Sequence, residues 1–272
     1  MTLVCSTPVK PREITSGTRE WADYNVNCIK GCFNNCRYCY ARIMAKRFGR
    51  CTEDTWKDMK VSDIAVQKKY GKYNGRVMFP SSHDIVDQPA VQEACFTVIQ
   101  KLLEAGNETL ITTKPKLSVT EGIIKRFHSF GKLIQFRFTI TSLNNRLLSY
   151  WEPNAPNYEE RLASLKYAYK MHFKTSVSIE PFLDYNPKIL IDTVSPYVTE
   201  SIWIGPMNYI PKNGLTKDDE LQHTEIRKNY EIDHLRDVYT NLVDLPLIRF
   251  KDSMTNRLAN PDFNHETKQA CR

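Results

Sequence analysis

No run of roughly eighteen apolar residues occurs in this 272-residue sequence, which excludes a transmembrane helix. Glycine and proline are sparse, at 10 and 14 residues, so the chain is neither collagen-like nor of low complexity. Met1 to Lys10 lacks a basic start followed by an apolar core. That lack predicts no secretory signal and a cytoplasmic location. In a reducing compartment the eight cysteines are expected as thiols, metal ligands or redox groups rather than disulfides. Acidic residues are missing from Tyr24 to Thr52, which holds six Lys and Arg. Segment 1–60 carries eleven basic against six acidic residues, whereas the last 61 residues are balanced at ten against eleven. A local basic field of this kind attracts nucleic acid or an anionic small molecule, and equally describes a solvated surface.

What is present is an ordinary globular composition, with 41% hydrophobic and 25% charged residues. Short apolar runs predict strands at Tyr24–Ile29, Arg76–Phe79, Thr109–Thr113, Ile134–Thr141, Thr175–Ile179, Ser201–Gly205 and Leu247–Phe250. Amphipathic stretches between them predict helices at Pro89–Ala105, Leu117–Phe130, Tyr158–His172 and Leu221–Val243. Strand and helix alternating six or seven times point to a parallel α/β sheet. The run from Ile134 to Ile140 reads as nearly apolar on both faces, as a strand between two layers should. No Pro, Gly or Ser-rich linker divides the chain. One core domain over 24–250 is expected, after an extension at 1–23 and before a polar tail at 251–272.

Parallel α/β folds place their sites just after the strands. After the first strand comes Gly31-Cys32-Phe33-Asn34-Asn35-Cys36-Arg37-Tyr38-Cys39-Tyr40. Three cysteines within eight residues let three sulfurs converge on one iron–sulfur cluster, leaving one iron open. A structural zinc would need a fourth ligand, and Cys28 lies inside the predicted strand, pointing away. Cys5, Cys28, Cys51, Cys95 and Cys271 form no second Cys-x2-Cys pair, so an auxiliary cluster is the lesser reading beside idle thiols.

The spacing Cys-x3-Cys-x2-Cys, with Tyr38 before the last cysteine, resembles the radical S-adenosylmethionine (SAM) superfamily. Thr112-Thr113-Lys114 and the run Trp151-Glu152-Pro153-Asn154-Ala155-Pro156 to Arg161-Leu162 are similar to one branch of it. That branch contains spore photoproduct lyase and the DNA repair photolyase-like proteins. The similarity covers roughly residues 24 to 210. It implies a partial TIM-like (β/α)6 barrel, here with an extra C-terminal strand as an option. It also implies a [4Fe–4S] cluster on Cys32, Cys36 and Cys39. SAM would chelate the open iron and be cleaved by one electron to methionine and a 5′-deoxyadenosyl radical.

The resemblance assigns cofactor contacts to Tyr38, through its backbone, and to Lys114, on the SAM carboxylate. Arg161 takes the carboxylate or a scaffold role, and Ser142, with Thr141 beside it, ends the fourth strand where a hydroxyl suits the ribose. Ser82, His83 and Glu180 follow strands at the barrel mouth and are the candidate catalytic groups. One departure stands out. The lyase carries a hydrogen-donor cysteine after its second strand, where this chain reads Phe79-Pro80-Ser81-Ser82-His83. The substrate therefore does not transfer with the family. A nucleic acid is the first expectation, and a protein or small molecule the alternative, with an electron donor such as flavodoxin or ferredoxin. A non-catalytic iron–sulfur or zinc-binding protein is the rival from another class.

Overall fold

A computed structural model describes residues 16–210 and 215–260. Strand β1 (Tyr24–Asn25) opens the main sheet. The chain then leaves it, and β2 (Ile29–Lys30) pairs antiparallel with β3 (Lys60–Val61) in a separate ribbon. The cysteine loop and helix α1 (Tyr40–Arg47) lie between those two strands. Helix α2 (Asp63–Gln67) follows. From there strands and helices alternate: β4 (Val77–Phe79), α3 (Pro89–Glu104), β5 (Thr109–Thr113) and α4 (Leu117–Phe127). Next come β6 (Ile134–Thr139), α5 (Asn145–Trp151), α6 (Tyr158–Lys170), β7 (Lys174–Ile179) and α7 (Lys188–Val194). The described chain ends with β8 (Ile202–Ile204), α8 (Lys217–Lys228), α9 (Ile232–Leu242), β9 (Ile248–Phe250) and α10 (Asp252–Ala259).

Among the described residues the main sheet has seven strands in the order β1-β4-β5-β6-β7-β8-β9, every pair parallel. It curls into a half-barrel, the partial TIM-like α/β fold expected, with β9 as the extra strand. The predicted first strand is shorter than Tyr24–Ile29. The Asn27 amide oxygen accepts from the backbone N–H groups of Ser81 and Ser82 at 2.8 and 2.9 Å. Cys28 N donates to His83 at 3.1 Å. These bonds to the loop after β4 replace ladder bonds and turn the chain out of the sheet.

The two faces of the sheet differ. Ile134, Phe136 and Phe138 of β6 pack into the helix-facing core with Phe79, Ile111, Val177 and Ile204. Gln135, Arg137 and Thr139 point the other way, in register with Leu110, Thr112, Ser176 and Ser178 of the flanking strands. All six residues of β6 are buried, so burial follows a buried strand while chemistry alternates. The expectation that β6 is apolar on both faces is thus corrected. One face is core and the other is a polar lumen.

The long helix expected over Leu221–Val243 is two, α8 and α9, broken at Asn229–Glu231. The break lets Asn229 Nδ2 donate to Leu183 O at 2.8 Å, and Tyr230 Oη to Phe182 O at 2.5 Å. Those contacts satisfy carbonyls of the buried loop after β7, which a continuous helix would leave orphaned. The helix expected to reach Phe130 stops at Phe127 and tightens into a 3-10 turn over His128–Leu133. Ahead of β1, a 3-10 turn at Gly17–Glu20 carries Trp21 against Trp203 of β8, ring centroids 6.0 Å apart. Lys251, 3% exposed just past β9, donates to Gly17 O at 2.7 Å. The segment before β1 therefore reaches the far edge of the half-barrel. Residues 251–259 are packed on it as well, while the rest of the expected tail lies outside the described residues.

Candidate active site

The cysteine loop is shaped by its backbone. Gly31 has φ +88°, and a Cβ there would sit 2.5 Å from Asp58 O and 2.6 Å from Trp56 O. Only glycine fits so close an approach at that dihedral. Cys32 N then donates to Trp56 O at 2.8 Å. Asn35 takes a left-handed φ of +46°, a conformation asparagine tolerates. Cys39 is the N-cap of α1, its Sγ accepting from Arg42 N at 3.4 Å. Side chains strap the loop from outside. Asn34 Nδ2 donates to Asp84 at 2.7 Å, Arg42 Nη1 to Asn35 Oδ1 at 3.0 Å, and Asn154 Nδ2 to Phe33 O at 2.8 Å.

Burial pushes all three loop thiols up, Cys36 to about 12, and at Cys32 the charges of Asp84 and then of the neighbouring cysteines add to the rise. Lys114 acts in the opposite direction on Cys36 and Cys39. Three buried thiols that feel one another's charge are unstable as bare thiolates and become stable ones when bound to cationic metal. Among the described residues no three His, Cys, Asp or Glu side chains close on a single ion. Cysteine thiolates are the usual donors of iron–sulfur clusters, in which each takes a different iron. The donor set therefore fits an iron–sulfur cluster. Of the cysteines considered for an auxiliary cluster, Cys28 and Cys95 face each other at 3.9 Å between sulfurs, Cys51 is a free thiol, and Cys5 and Cys271 lie outside the described residues.

Beside the loop lies a buried network that sequence reasoning did not single out. Its centre is Glu152, 1% exposed, at the end of α5. It accepts from the Tyr38 hydroxyl and from Thr141 Oγ1, the latter at 2.8 Å. Arg161 of α6 meets its other oxygen at 2.5 Å, without hydrogen-bond alignment. Lys114 Nζ stands 3.9 Å away and 5.7 Å from the Tyr38 ring centroid. Burial would raise the Glu152 pKa, but Arg161, Lys114, Tyr38 and Thr141 outweigh it and hold it below the usual carboxylate range. Lys114 moves the other way from its own burial: Cys36 and Glu152 keep it more firmly protonated than usual.

Four of the predicted cofactor residues, Tyr38, Lys114, Thr141 and Arg161, thus meet on one carboxylate. Arg161 is wholly buried and spends Nε on Pro156 O at 2.7 Å, which is the geometry of a scaffold residue. Ser142 stands apart from the network. Its hydroxyl donates to Asp184 and accepts from Asn144 N at 2.8 Å, so it is spent within its own turn.

His83 is also spent. Its Nε2 accepts from Cys28 N, so the proton sits on Nδ1 and points to Asp84 O at 3.1 Å. Asp84 accepts from Asn34, Ile85 N, Thr113 and Lys114 N, and ties the cysteine loop to the end of β5. The pair His83–Asp84 is built as a brace. Ser82 is half-buried in the loop held by Asn27. Glu180, after β7, is a half-buried carboxylate at the mouth. Burial raises its pKa, with Lys251, Arg137 and Lys114 opposing. Gly205 after β8 leaves room for it: a Cβ there would lie 2.8 Å from Lys251 Cγ and 3.2 Å from Glu180 Cγ.

Known proteins resemble this chain in sequence and in fold. The uncharacterized protein MJ0683 of Methanocaldococcus jannaschii is 28% identical over 180 residues, 65% of this chain and 64% of that protein. The uncharacterized protein ORF301 of Acidianus two-tailed virus is 25% identical over 186 residues, 64% of this chain and 59% of that protein. The matches span less than two thirds of each relative's length. Among solved structures, a spore photoproduct lyase mutant with bound AdoMet and dinucleoside spore photoproduct shares the fold. Its TM-score is 0.56 at 15% identity, over 88% of this chain and 79% of that one. The family model described as the Radical SAM superfamily matches residues 26–194, more than half of the chain, and the protein belongs to that enzyme superfamily.

Proposed function

We propose that the protein binds a [4Fe–4S] cluster through Cys32, Cys36 and Cys39 and reductively cleaves SAM beside it. The observation that carries this reading is the buried carboxylate of Glu152, which holds Tyr38 and Lys114 against the cysteine loop. When bound, the cluster supplies one electron that splits SAM to methionine and a 5′-deoxyadenosyl radical. The chain's own residues do the rest. Lys114, kept protonated by Cys36 and Glu152, offers a fixed cation to the SAM carboxylate. Tyr38 faces the adenine through its backbone, and Thr141 lies at the ribose end. Glu180 meets the substrate at the barrel mouth, its pKa raised by burial. The barrel and its loops keep water from the reactive carbon.

Nucleic acid is the first substrate class. Phe33, Tyr40 and Phe48 are 39%, 56% and 58% exposed and interleave with the basic residues of the loop and α1. Exposed aromatics among cations are a platform for unpaired bases. A second reading has its own observation. Arg37 pairs with Asp219 at 3.2 Å, and Arg42 and Lys46 both pair with Glu53, so much of the basic field is already neutralised. This favours a protein or small-molecule substrate, with the same face left for a reductant such as flavodoxin or ferredoxin. The lyase reaction itself is not proposed. Cys95, the next cysteine in sequence after the loop that follows β4, is wholly buried in α3.

The test is anaerobic. The reconstituted protein is given dithionite and SAM, and 5′-deoxyadenosine is assayed, with Cys36→Ala as control. Product from the wild type alone supports the reading. A tightly bound zinc and no cluster would favour the non-catalytic rival. A gel shift across a salt series then separates the substrate classes, because nucleic-acid binding must weaken steeply with salt.

A further inference from the structure

The lumen face of the sheet holds polar groups that the chemistry at the mouth leaves unused. Register sets Thr112 of β5 beside Arg137 of β6, and Arg137 beside Ser176 of β7. Gln135 lies two residues earlier on the same face. Arg137 is 2% exposed. Its Nε donates to Ser176 Oγ at 3.2 Å, but its Nη1 has no hydrogen-bond partner. The Thr112 hydroxyl and Gln135 Oε1 are buried and unpartnered as well. Ser176 cannot take more, since it already receives Gln135 Nε2 at 3.2 Å and donates to Phe136 O at 3.0 Å.

The guanidinium lies 4.6 Å from the Trp21 ring centroid and 5.5 Å from that of Trp203. Those ring faces soften the cost of burying its charge, yet satisfy none of its N–H groups. An unsatisfied buried donor costs about 1–3 kcal/mol, and more when charged, so three such groups on adjoining strands mark a place built for a ligand. Lys251, which also stacks near Trp21 and Trp203, is already committed to Glu20 and Gly17 O. Glu180 sits above, within the electrostatic reach of Arg137 and Lys114 alike, and links this cluster to the mouth.

We propose that Arg137, with the Thr112 hydroxyl as second donor, receives an oxyanion of the substrate, a phosphate or a carboxylate, inside the barrel lumen. The anchored end lies below the mouth while the reacting carbon stands under Lys114 and Glu180. This rests on the radical SAM reading, which supplies the substrate to be anchored. Guanidinium matches both oxyanions through paired N–H donors. Gln135 Oε1 accepts from any O–H or N–H the same group carries.

The experiment titrates the reconstituted protein with inorganic phosphate and, separately, acetate, following tryptophan emission, because Trp21 and Trp203 flank the site. A saturable response is expected from one or both anions. Arg137→Gln should weaken it about tenfold or more, and Arg137→Lys should fall between. Thr112→Val keeps the side-chain shape and removes one donor. It should weaken the response several-fold, and it carries the test if Arg137→Gln fails to fold. Preference for phosphate over acetate, or the reverse, identifies the group. Responses that are equal in wild type, Arg137→Gln and Thr112→Val overturn the proposal, as does silence towards both anions, which would leave ordered water as the lumen's only occupant. The same wild-type preparation is assayed for 5′-deoxyadenosine. Binding without SAM cleavage would sink the functional reading and spare the lumen site; cleavage without binding would do the opposite.

Discussion

Glu152 and Arg161 meet at 2.5 Å with both side chains fully withdrawn from solvent. They come from α5 and α6, and through Tyr38 and Lys114 they govern the shape of the cysteine loop and the end of β5. A buried pair of this kind gains little over an apolar pair of the same size, but breaking it on one side strands a charge. Glu152→Gln is therefore expected to lower stability by roughly 3–5 kcal/mol, since Arg161 and Lys114 both lose their counter-charge. Glu152→Leu combined with Arg161→Met should cost less than the sum of the two single changes. Urea unfolding of the four proteins checks this, and strict additivity would mean the two residues do not act together.

Lys114 offers a second test. Its side chain is 14% exposed and its ammonium lies near the Tyr38 ring, within the electrostatic reach of Cys36. Replacing it with Gln keeps much of the stem and deletes the charge. SAM affinity is expected to drop about tenfold to a hundredfold, the worth of one charge-assisted hydrogen bond, while iron content stays near that of the wild type. Lys114→Arg should recover part of the loss. Equilibrium dialysis with SAM and iron analysis give the two readings; unchanged SAM binding in Lys114→Gln would remove this lysine from the site.

Gly31 provides a backbone test that involves no reacting group. With φ at +88° and two carbonyl oxygens within 2.6 Å of a built Cβ, any side chain there must displace the β2–β3 ribbon or the loop. Gly31→Ala should cost about 1–3 kcal/mol and reduce iron retained after desalting. A fully stable variant with normal iron content would show that the loop tolerates another path.

Much of this was legible in the sequence, and the exceptions have physical causes. The cysteine loop could be read because glycine, three cysteines and a helix start are local signals. The parallel α/β architecture could be read because strand and helix periods alternate. Glu152 could not, because its four partners come from separated segments and no spacing announces a buried carboxylate. Arg137 was hidden by a different effect. Both faces of β6 are buried, and the strict alternation from Ile134 to Ile140 marks two buried environments, one apolar and one polar. His83 and Ser142 looked like mouth residues because they follow strands, yet their hydrogen bonds are consumed by neighbouring turns. A position after a strand identifies where a site lies but not which side chains remain free to serve it.

The last prediction concerns Glu20, which anchors the segment before β1 to the end of β9. Its carboxylate pairs with Lys251 and accepts from Asp252 N at 3.0 Å. Burial dominates over the Lys251 contacts and raises its pKa to about 7, with Asp252 adding to the rise. The sign follows from linkage: a carboxyl held at a higher pKa in the folded protein binds its proton more tightly there than in the unfolded chain. Its contribution is fully present below the ordinary carboxylate range and is lost as pH rises towards 7. The folded protein should therefore lose part of its stability between about pH 4.5 and pH 7 through this one group. Glu20→Gln cannot titrate and should flatten that part of the profile. The measurement is urea unfolding from pH 5 to pH 8 for both proteins, with Trp21 and Trp203 emission reporting whether the anchored segment loosens first. Parallel profiles would mean that Lys251 keeps Glu20 ionised throughout, and the anchor would then be a plain ion pair insensitive to pH in this range.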